Sequence, residues 1–209
     1  MHNNAEQNLL LHQALYNKTL QAVKDTGLPF VLVDEALQKG NNFGEKYCNA
    51  LEYCFDKGFE KIISVGTDCA SLSTKILLDA NSSSKLDNLI GADNNGGFYL
   101  FALHKKNYNR KCFSAFNWCT TQLLKDIFYY FKTNNLSSPA LIQTKTDINS
   151  IVDLMKVVKL KKDSLFLQLL FQIFNKINFE ITYCILKINS FSIGTLSLRG
   201  PPFIDVVIS

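Results

Sequence analysis

The sequence predicts a three-layer α/β domain, a mostly parallel sheet flanked by helices. Short, apolar, β-rich runs alternate along the chain with helical patterns, as they do in βαβ units. Two of these runs, residues 62–65 and 89–90, are followed by a glycine and then by an acid. Strands that end in this way are typical of open α/β sheets, in which ligands bind at the carboxyl ends of the strands. A chain of 209 residues that is 47% hydrophobic is also long enough to bury such a core.

The spacing of apolar residues gives the order of the elements. Helical spacing predicts helices over 9–23, 43–55, 74–80, 120–131 and 149–159. β-rich runs predict strands over 29–33, 61–67, 88–92, 97–103 and 140–143. After residue 162 the pattern changes to a helix over 164–175 and then an alternating, strand-like run. We therefore expect a main domain over 9–160 and a C-terminal extension over 161–209.

Composition argues against several classes of protein. The net charge of +4 comes from scattered lysines, which favours a solvated surface over a nucleic-acid groove. Six cysteines without a C-x-x-C pair, and only three histidines, argue against a structural zinc site. The most apolar segment, 165–174, is too short to span a bilayer. With no secretory pattern at its start, the sequence predicts a cytoplasmic protein with reduced cysteines and no transmembrane segment.

Four positions in the first two-thirds of the chain have a chemical and a structural interpretation. Asp68 follows a strand and suits a divalent ion that bridges phosphates, or it caps the next helix. The turn Asn95-Gly96-Gly97 offers backbone N–H groups to a ligand, or it is a plain hairpin turn, and these two roles are compatible.

Asp147 is the corresponding candidate near the end of the main domain. It precedes a predicted helix together with Asn149. It is either an acid for the same ion or part of the start of that helix, whereas Asn149 is better explained as a helix cap. Cys69 is expected to be a small buried thiol, since no histidine lies near it in sequence.

Five motifs occur in an order that matches a known family. They are Q-K-G-N-N-F-G-E-K (38–46), G-T-D-C-A (66–70), G-A-D-N-N-G-G-F-Y-L (91–100), N-W-C-T (117–120) and D-I-N-S-I-V-D-L (147–154). Over about 38–158 the chain resembles a bacterial family of nucleotide-diphospho-sugar transferase-like proteins in the GT-A glycosyltransferase superfamily. Members of this family are of the type associated with radical-SAM or selenium-domain gene clusters.

The resemblance implies a GT-A fold and the transfer of a sugar from a nucleotide-diphospho donor to an unknown acceptor, with Mg²⁺ or Mn²⁺. It implies that Asp68 and Asp147 are metal ligands and that Asp68, Asn95 and Asp93 are the candidates for a catalytic role. The implied substrate-binding residues are Gly66, Thr67, Gly96, Gly97, Tyr99, Trp118 and Thr120. Trp118 would stack on a sugar ring, although packing against the helix over 121–131 is an equal alternative.

The chain also departs from the pattern of this family. Asn95 and Asn149 stand where the family has aspartates. The first strand of the family and its basic loop have no counterpart, which predicts a domain that is truncated at its N-terminus relative to the family. These departures keep two alternatives open. One is a catalytically impaired homologue that binds a nucleotide or a protein, and the other is a nucleotidyltransferase.

Overall fold

The computed structural model describes residues 2–34, 37–83, 87–148 and 204–208, with only the backbone described for 2–8 and 204–208. The α-helices are α1 (His2–Lys24), α2 (Phe43–Asp56), α3 (Thr74–Ser82), α4 (Arg110–Ser114) and α5 (Leu123–Thr133). The strands are β1 (Phe30–Val33), β2 (Lys61–Gly66), β3 (Leu89–Asp93), β4 (Phe98–His104), β5 (Ala140–Lys145) and β6 (Ile204–Ile208). A 3-10 turn, Lys105–Asn107, follows β4.

One six-stranded sheet, in the order β1-β6-β2-β4-β3-β5, forms the centre of the fold. β1, β2, β3 and β5 run in the same direction, while β4 and β6 run against them. This confirms a mainly common strand direction. The neighbouring pairs are nevertheless antiparallel except for β3 and β5, because β4 folds back on β3 through a hairpin and β6 lies between β1 and β2.

Helices cover both faces of the sheet, which confirms the three-layer arrangement. Neighbouring residues of β2 point to opposite faces, so Ile62 and Ile63 enter different cores. The core around Ile62 includes residues of α2 and α5. The core around Ile63 includes residues of α1 and α3. Strands buried on both faces read as continuous apolar runs, which is why residues 62–65 and 99–103 have this pattern.

The sequence missed strand β6. Residues 204–208 were assigned to the C-terminal extension without a strand, but they pair with β1 and β2 inside the sheet. The alternation in this short segment is too weak to identify a strand without its partners. The predicted elements over 149–159 and 164–175, and the strand-like run after them, lie outside the described residues. The boundary between 160 and 161 therefore stays a prediction.

Two further observations concern composition. Among the described helices, none combines the length and the apolar character needed to cross a bilayer. The five cysteines in the described ranges are free thiols, of which Cys48, Cys54 and Cys69 are buried. Cys112 is half-buried and Cys119 is exposed, so the expectation of core thiols was wrong for these two.

Replacing Val206 by proline tests whether β6 is an internal strand of the sheet. Val206 pairs with Val31 on one side and with Ser64 on the other. Proline lacks the backbone N–H and is not tolerated inside a sheet, so Val206→Pro should lower the free energy of unfolding by about 3 kcal/mol or more. The control, Val206→Thr, keeps the N–H and the β-branch. Equal urea midpoints for the two variants would contradict the internal position of β6.

Candidate active site at the carboxyl edge of the sheet

Three aspartates lie where strands of common direction end. Asp93 is the last residue of β3, Asp68 comes two residues after β2, and Asp147 comes two residues after β5. Asp93 is in register with Lys145 of the parallel neighbour, which brings Asp147 close to it. The three acids therefore lie at one edge of the sheet, and their predicted roles stay predictions. Ligands bind at this edge in open α/β sheets.

Hydrogen bonds hold the loops that carry these acids together. The Ile148 N–H donates to the Asp68 carbonyl oxygen at 2.9 Å, so the loop after β5 is tied to the loop after β2. The Asn94 side-chain amide donates to Thr146 Oγ1 at 2.7 Å, which ties the β3–β4 turn to the same region. The three acids are therefore held by backbone and side-chain contacts between separate loops.

Two glycines provide the space that the carboxylates occupy. A Cβ atom at Gly66 would lie 2.8 Å from Asp68 Oδ1, and one at Gly97 would lie 2.8 Å from Asp93 Oδ2. Asp93 Oδ1 accepts hydrogen bonds from the N–H groups of Asn95 (2.7 Å) and Gly97 (2.8 Å). Gly66 and Gly97 are thus required by the positions of the acids, which is a different role from direct contact with a donor.

Burial and the charges of neighbouring acids make Asp68 and Asp147 reluctant to ionise. Asp147 is 4% exposed, and burial, followed by the charges of Asp68 and Asp93, raises its pKa to about 9. Burial also raises the pKa of Asp68, the Asp93 charge adds to this effect, and His12 opposes it. Asp147 Oδ1 has no hydrogen-bond partner within the described residues. A cation at this edge would relieve both the repulsion and the unsatisfied oxygen.

The chemistry of these donors fits a hard divalent cation. Mg²⁺ and Mn²⁺ prefer carboxylate oxygens, and Mg²⁺ typically takes one or two from the protein while phosphates and water supply the rest. The described ranges contain no group of three or more His, Cys, Asp and Glu side chains that is arranged to hold a metal by itself. The acids therefore fit a cation that arrives with a phosphate-bearing ligand better than a permanent structural ion.

Cys69 lies between this edge and the core. Its side chain is buried, and burial, with the charge of Asp147 as the next cause, raises the pKa of the thiol to about 12. A thiol in this state is a poor nucleophile. The expectation of a small buried thiol is confirmed.

The turn over 94–97 is the predicted hairpin turn. Asn95 is exposed, and its N–H supports Asp93. Asp93 ends β3, and its charge contributes to the raised pKa of Asp68 and Asp147, whereas its catalytic role stays a prediction. Gly96 has φ +87°, and a Cβ there would lie 2.8 Å from the backbone of Thr121. Packing against the loop before α5 therefore explains Gly96.

Tyr99, which the resemblance assigns to the substrate, is buried and packed inside the protein. Its side chain is 1% exposed, and its hydroxyl donates to the Gln143 carbonyl at 2.9 Å. A Cβ at Gly91 would lie 2.4 Å from the Tyr99 ring. The absence of a side chain at Gly91, in the G-A-D segment, therefore leaves room for the buried Tyr99 ring of the G-F-Y segment. Thr67, directly before Asp68, is partly exposed and remains a candidate.

Trp118 packs inside an aromatic cluster. Its indole N–H donates to the Phe113 carbonyl at 2.8 Å, and its ring lies 4.7 Å from Tyr47. A Cβ at Gly44 would lie 2.6 Å from the Trp118 ring, so α2 passes directly beneath it. These contacts favour packing of Trp118 over stacking on a sugar ring. They involve α2, whereas the sequence indicated the helix over 121–131. Thr120 is exposed and donates to the Asn117 carbonyl within a turn.

The sequence missed a cavity at the end of β1. A cavity of about 290 Å³ lies between α1 and the end of β1, and its lining includes Leu9, His12 and Asp34. Because β1 and β2 run in the same direction, this cavity opens at the edge of the sheet that carries Asp68. The sequence does contain a pattern that could have indicated one wall of this cavity. The helical residues that line it, Leu9, His12, Gln13 and Tyr16, are spaced i, i+3, i+4 and i+7 and so share one face of α1.

Comparisons with known proteins agree with the fold. A family model described as "Uncharacterized protein conserved in bacteria (DUF2064)" matches residues 5–120, a range that includes Asp68 and Asp93. A crystal structure from Desulfovibrio desulfuricans, provisionally named a nucleotide-diphospho-sugar transferase, superposes with a TM-score of 0.60 at 20% identity. The match covers 70% of this chain and 64% of that one, less than two-thirds of its length. No curated protein matches the sequence significantly.

The raised pKa of Asp147 predicts that the protein becomes less stable as the pH rises. Below about pH 4 the Asp147 carboxyl is protonated in both the folded and the unfolded protein. Between about pH 4 and pH 9 it keeps its proton in the folded protein only. Over this window the group lowers the free energy of unfolding by at most about 1.4 kcal/mol per pH unit. Asp147→Asn should therefore flatten the pH dependence and stabilise the protein at pH 8, as measured by urea denaturation in chelator.

The control for this prediction is Asp56→Asn, because Asp56 is an exposed acid at the end of α2. It should leave the slope of stability against pH unchanged. If Asp147→Asn destabilises the protein equally at pH 5 and pH 8, the buried carboxyl is not the source of the pH dependence.

Proposed function

We propose that this chain, which belongs to the DUF2064 family of proteins conserved in bacteria, is a transferase of GT-A type that binds a nucleotide-diphospho-sugar with Mg²⁺ or Mn²⁺. The observation that carries the proposal is the convergence of Asp68, Asp93 and Asp147 at the carboxyl edge of the sheet. The likeness in fold to the provisionally named nucleotide-diphospho-sugar transferase supports it.

The roles of the acids follow from their surroundings. Asp68 and Asp147 would hold the divalent ion, since Asp68 is partly exposed at the edge and Asp147 Oδ1 has no hydrogen-bond partner within the described residues. Asp93 is held by two backbone N–H groups and is the third carboxylate of the group. A bound divalent ion would supply positive charge for the leaving diphosphate.

The chain itself supplies position and a partly dry environment. The links between the loops at Asp68, Thr146 and Ile148 fix the acids before a ligand arrives, so little reorganisation accompanies binding. Low local polarity strengthens the attraction between the acids and a cation. Ionisation of Asp147 is coupled to cation binding, because the cation would replace the proton that burial, and then the charges of Asp68 and Asp93, retain on this carboxyl.

A nucleotide-binding module without transfer activity is the second candidate. It is favoured by the exposed Asn95, an amide that cannot act as a base in the position where the resembling family has an acid. Both candidates predict nucleotide binding, and they differ in turnover. Release of a nucleoside diphosphate from a bound nucleotide sugar, in the presence of acceptor mixtures, distinguishes them.

Thermal and calorimetric titration with nucleotide sugars tests the proposal. A uridine-, guanosine- or adenosine-diphospho-sugar at about 100-fold over its Kd, with Mn²⁺, should stabilise the protein by roughly 2.7 kcal/mol. Asp68→Asn should abolish this stabilisation, because the amide is a neutral and weaker ligand for a hard cation. Asp56→Asn, the same change at an exposed position, should retain it.

Two results would contradict the proposal. One is the absence of stabilisation by every nucleotide sugar tested, with either cation. The other is equal stabilisation of the wild-type protein and the Asp68→Asn variant, which would place the ligand away from the acids.

A further inference from the structure

The cavity between α1 and β1 has a wall made by one stripe of α1. Leu9, His12, Gln13 and Tyr16 recur at i, i+3, i+4 and i+7, so they lie on one face of the helix. The neighbouring stripe, which includes Leu11 and Leu15, is buried in the protein. The cavity stripe is therefore separate from the face that packs α1 on the sheet.

The opposite wall is the end of β1. Leu32, Val33 and Asp34 line it, and the lining of the cavity as a whole is mostly apolar. On the α1 wall, Leu9 is 65% exposed although it lines the cavity. Ligand sites combine such apolar walls with a few polar groups that fix the orientation of the ligand. About 290 Å³ is at the lower end of the usual range for such sites, which suits a group of the size of a nucleoside better than a whole nucleotide sugar.

His12 joins this cavity to the acids. It is partly exposed and lines the cavity, at the edge of the sheet where Asp68 follows β2. Within the described part of the chain, the His12 ring makes no hydrogen bond. An imidazole donates at least one N–H, whether it is neutral or charged. The ring is therefore a donor available between the cavity and the place where a diphosphate would meet the acids.

The position of α1 is fixed by contacts with the loop that carries Asp68. Lys18 Nζ donates to the carbonyl oxygens of Ala70 and Leu72, the latter at 3.1 Å. Thr74 Oγ1 donates to the Ala22 carbonyl at 3.1 Å. Because α1 is tied to the loop over 68–74 at two points, His12 keeps a defined position relative to Asp68.

We propose that His12 is a ligand-binding residue that donates a hydrogen bond to a phosphate oxygen of a nucleoside diphosphate, while the nucleoside of the same molecule lies in the cavity between α1 and β1. This inference rests on the proposed function, since it assigns binding residues to the nucleoside and to the diphosphate of the proposed nucleotide-sugar donor. It adds a residue that no motif of the sequence indicated. Leu9 is assigned to the nucleoside and His12 to the phosphates.

Calorimetric titration with three kinds of probe tests the assignment. The probes, each with Mn²⁺, are the diphosphates of adenosine, guanosine, cytidine and uridine, the same four free nucleosides, and pyrophosphate. His12→Leu removes the hydrogen-bond donor and keeps a side chain of similar size. It should weaken the binding of diphosphates and of pyrophosphate by about tenfold or more, since hydrogen bonds to charged groups are the strong ones. His12→Gln keeps an N–H donor and should lose less. Free nucleosides should be unaffected by either change.

Leu9→Ala tests the other end of the ligand. It should weaken the binding of nucleosides and diphosphates by about three- to tenfold and leave the binding of pyrophosphate unchanged, because it removes only an apolar contact. The matched control is Leu10→Ala, since Leu10 is 52% exposed on the same helix and does not line the cavity. His104→Leu is the control for His12, because His104 ends the reversed strand β4 and lies at the opposite edge of the sheet.

The possible outcomes separate this inference from the proposed function. If diphosphates bind and depend on Asp68, but bind equally to the wild-type protein and His12→Leu, the role of His12 is overturned and the function stands. Loss of pyrophosphate binding in Leu9→Ala would overturn the division of the ligand between cavity and acids. If none of the four diphosphates binds to the wild-type protein, the proposed function fails and this inference fails with it.

Discussion

The repulsion among Asp68, Asp93 and Asp147 is the interaction on which the rest of the site depends. Like charges near each other and away from bulk water cost free energy, which appears here as a raised pKa for Asp68 and Asp147. A protein without use for this arrangement would gain stability by losing one of the acids. Contacts from Ile148 and Asn94 instead hold the loops together against the repulsion.

The strand from the far end of the chain connects the two halves of the proposed ligand site. β1 carries one wall of the cavity, β2 leads to Asp68, and β6 hydrogen-bonds to both. The backbone of β6 therefore sets the spacing between β1, which lines the cavity, and β2, which leads to Asp68.

Sequence patterns identified the parts of the site better than their roles. The acids were found because each follows an apolar run, and the direction of those strands brings them to one edge. Tyr99 and Trp118 were assigned to a ligand because they belong to the motifs that carry the resemblance. The structure shows that Gly91 accommodates the Tyr99 ring and Gly44 accommodates Trp118. A sequence motif can contain residues that pack and residues that act chemically. Only the contacts in the structure distinguish the two kinds.

The sequence by itself determined the class of fold, nearly every strand and helix in the described ranges and the three acids, because hydrophobic period and strand-end residues are local properties. The tertiary structure decided the grouping of the three acids, the place of β6 and the position of His12 in the wall of the cavity. These depend on residues far apart in sequence, such as Lys18 and Ala70, which are 52 positions apart. Contacts of this kind arise only when α1 packs beside the loop after β2, and no local pattern encodes them.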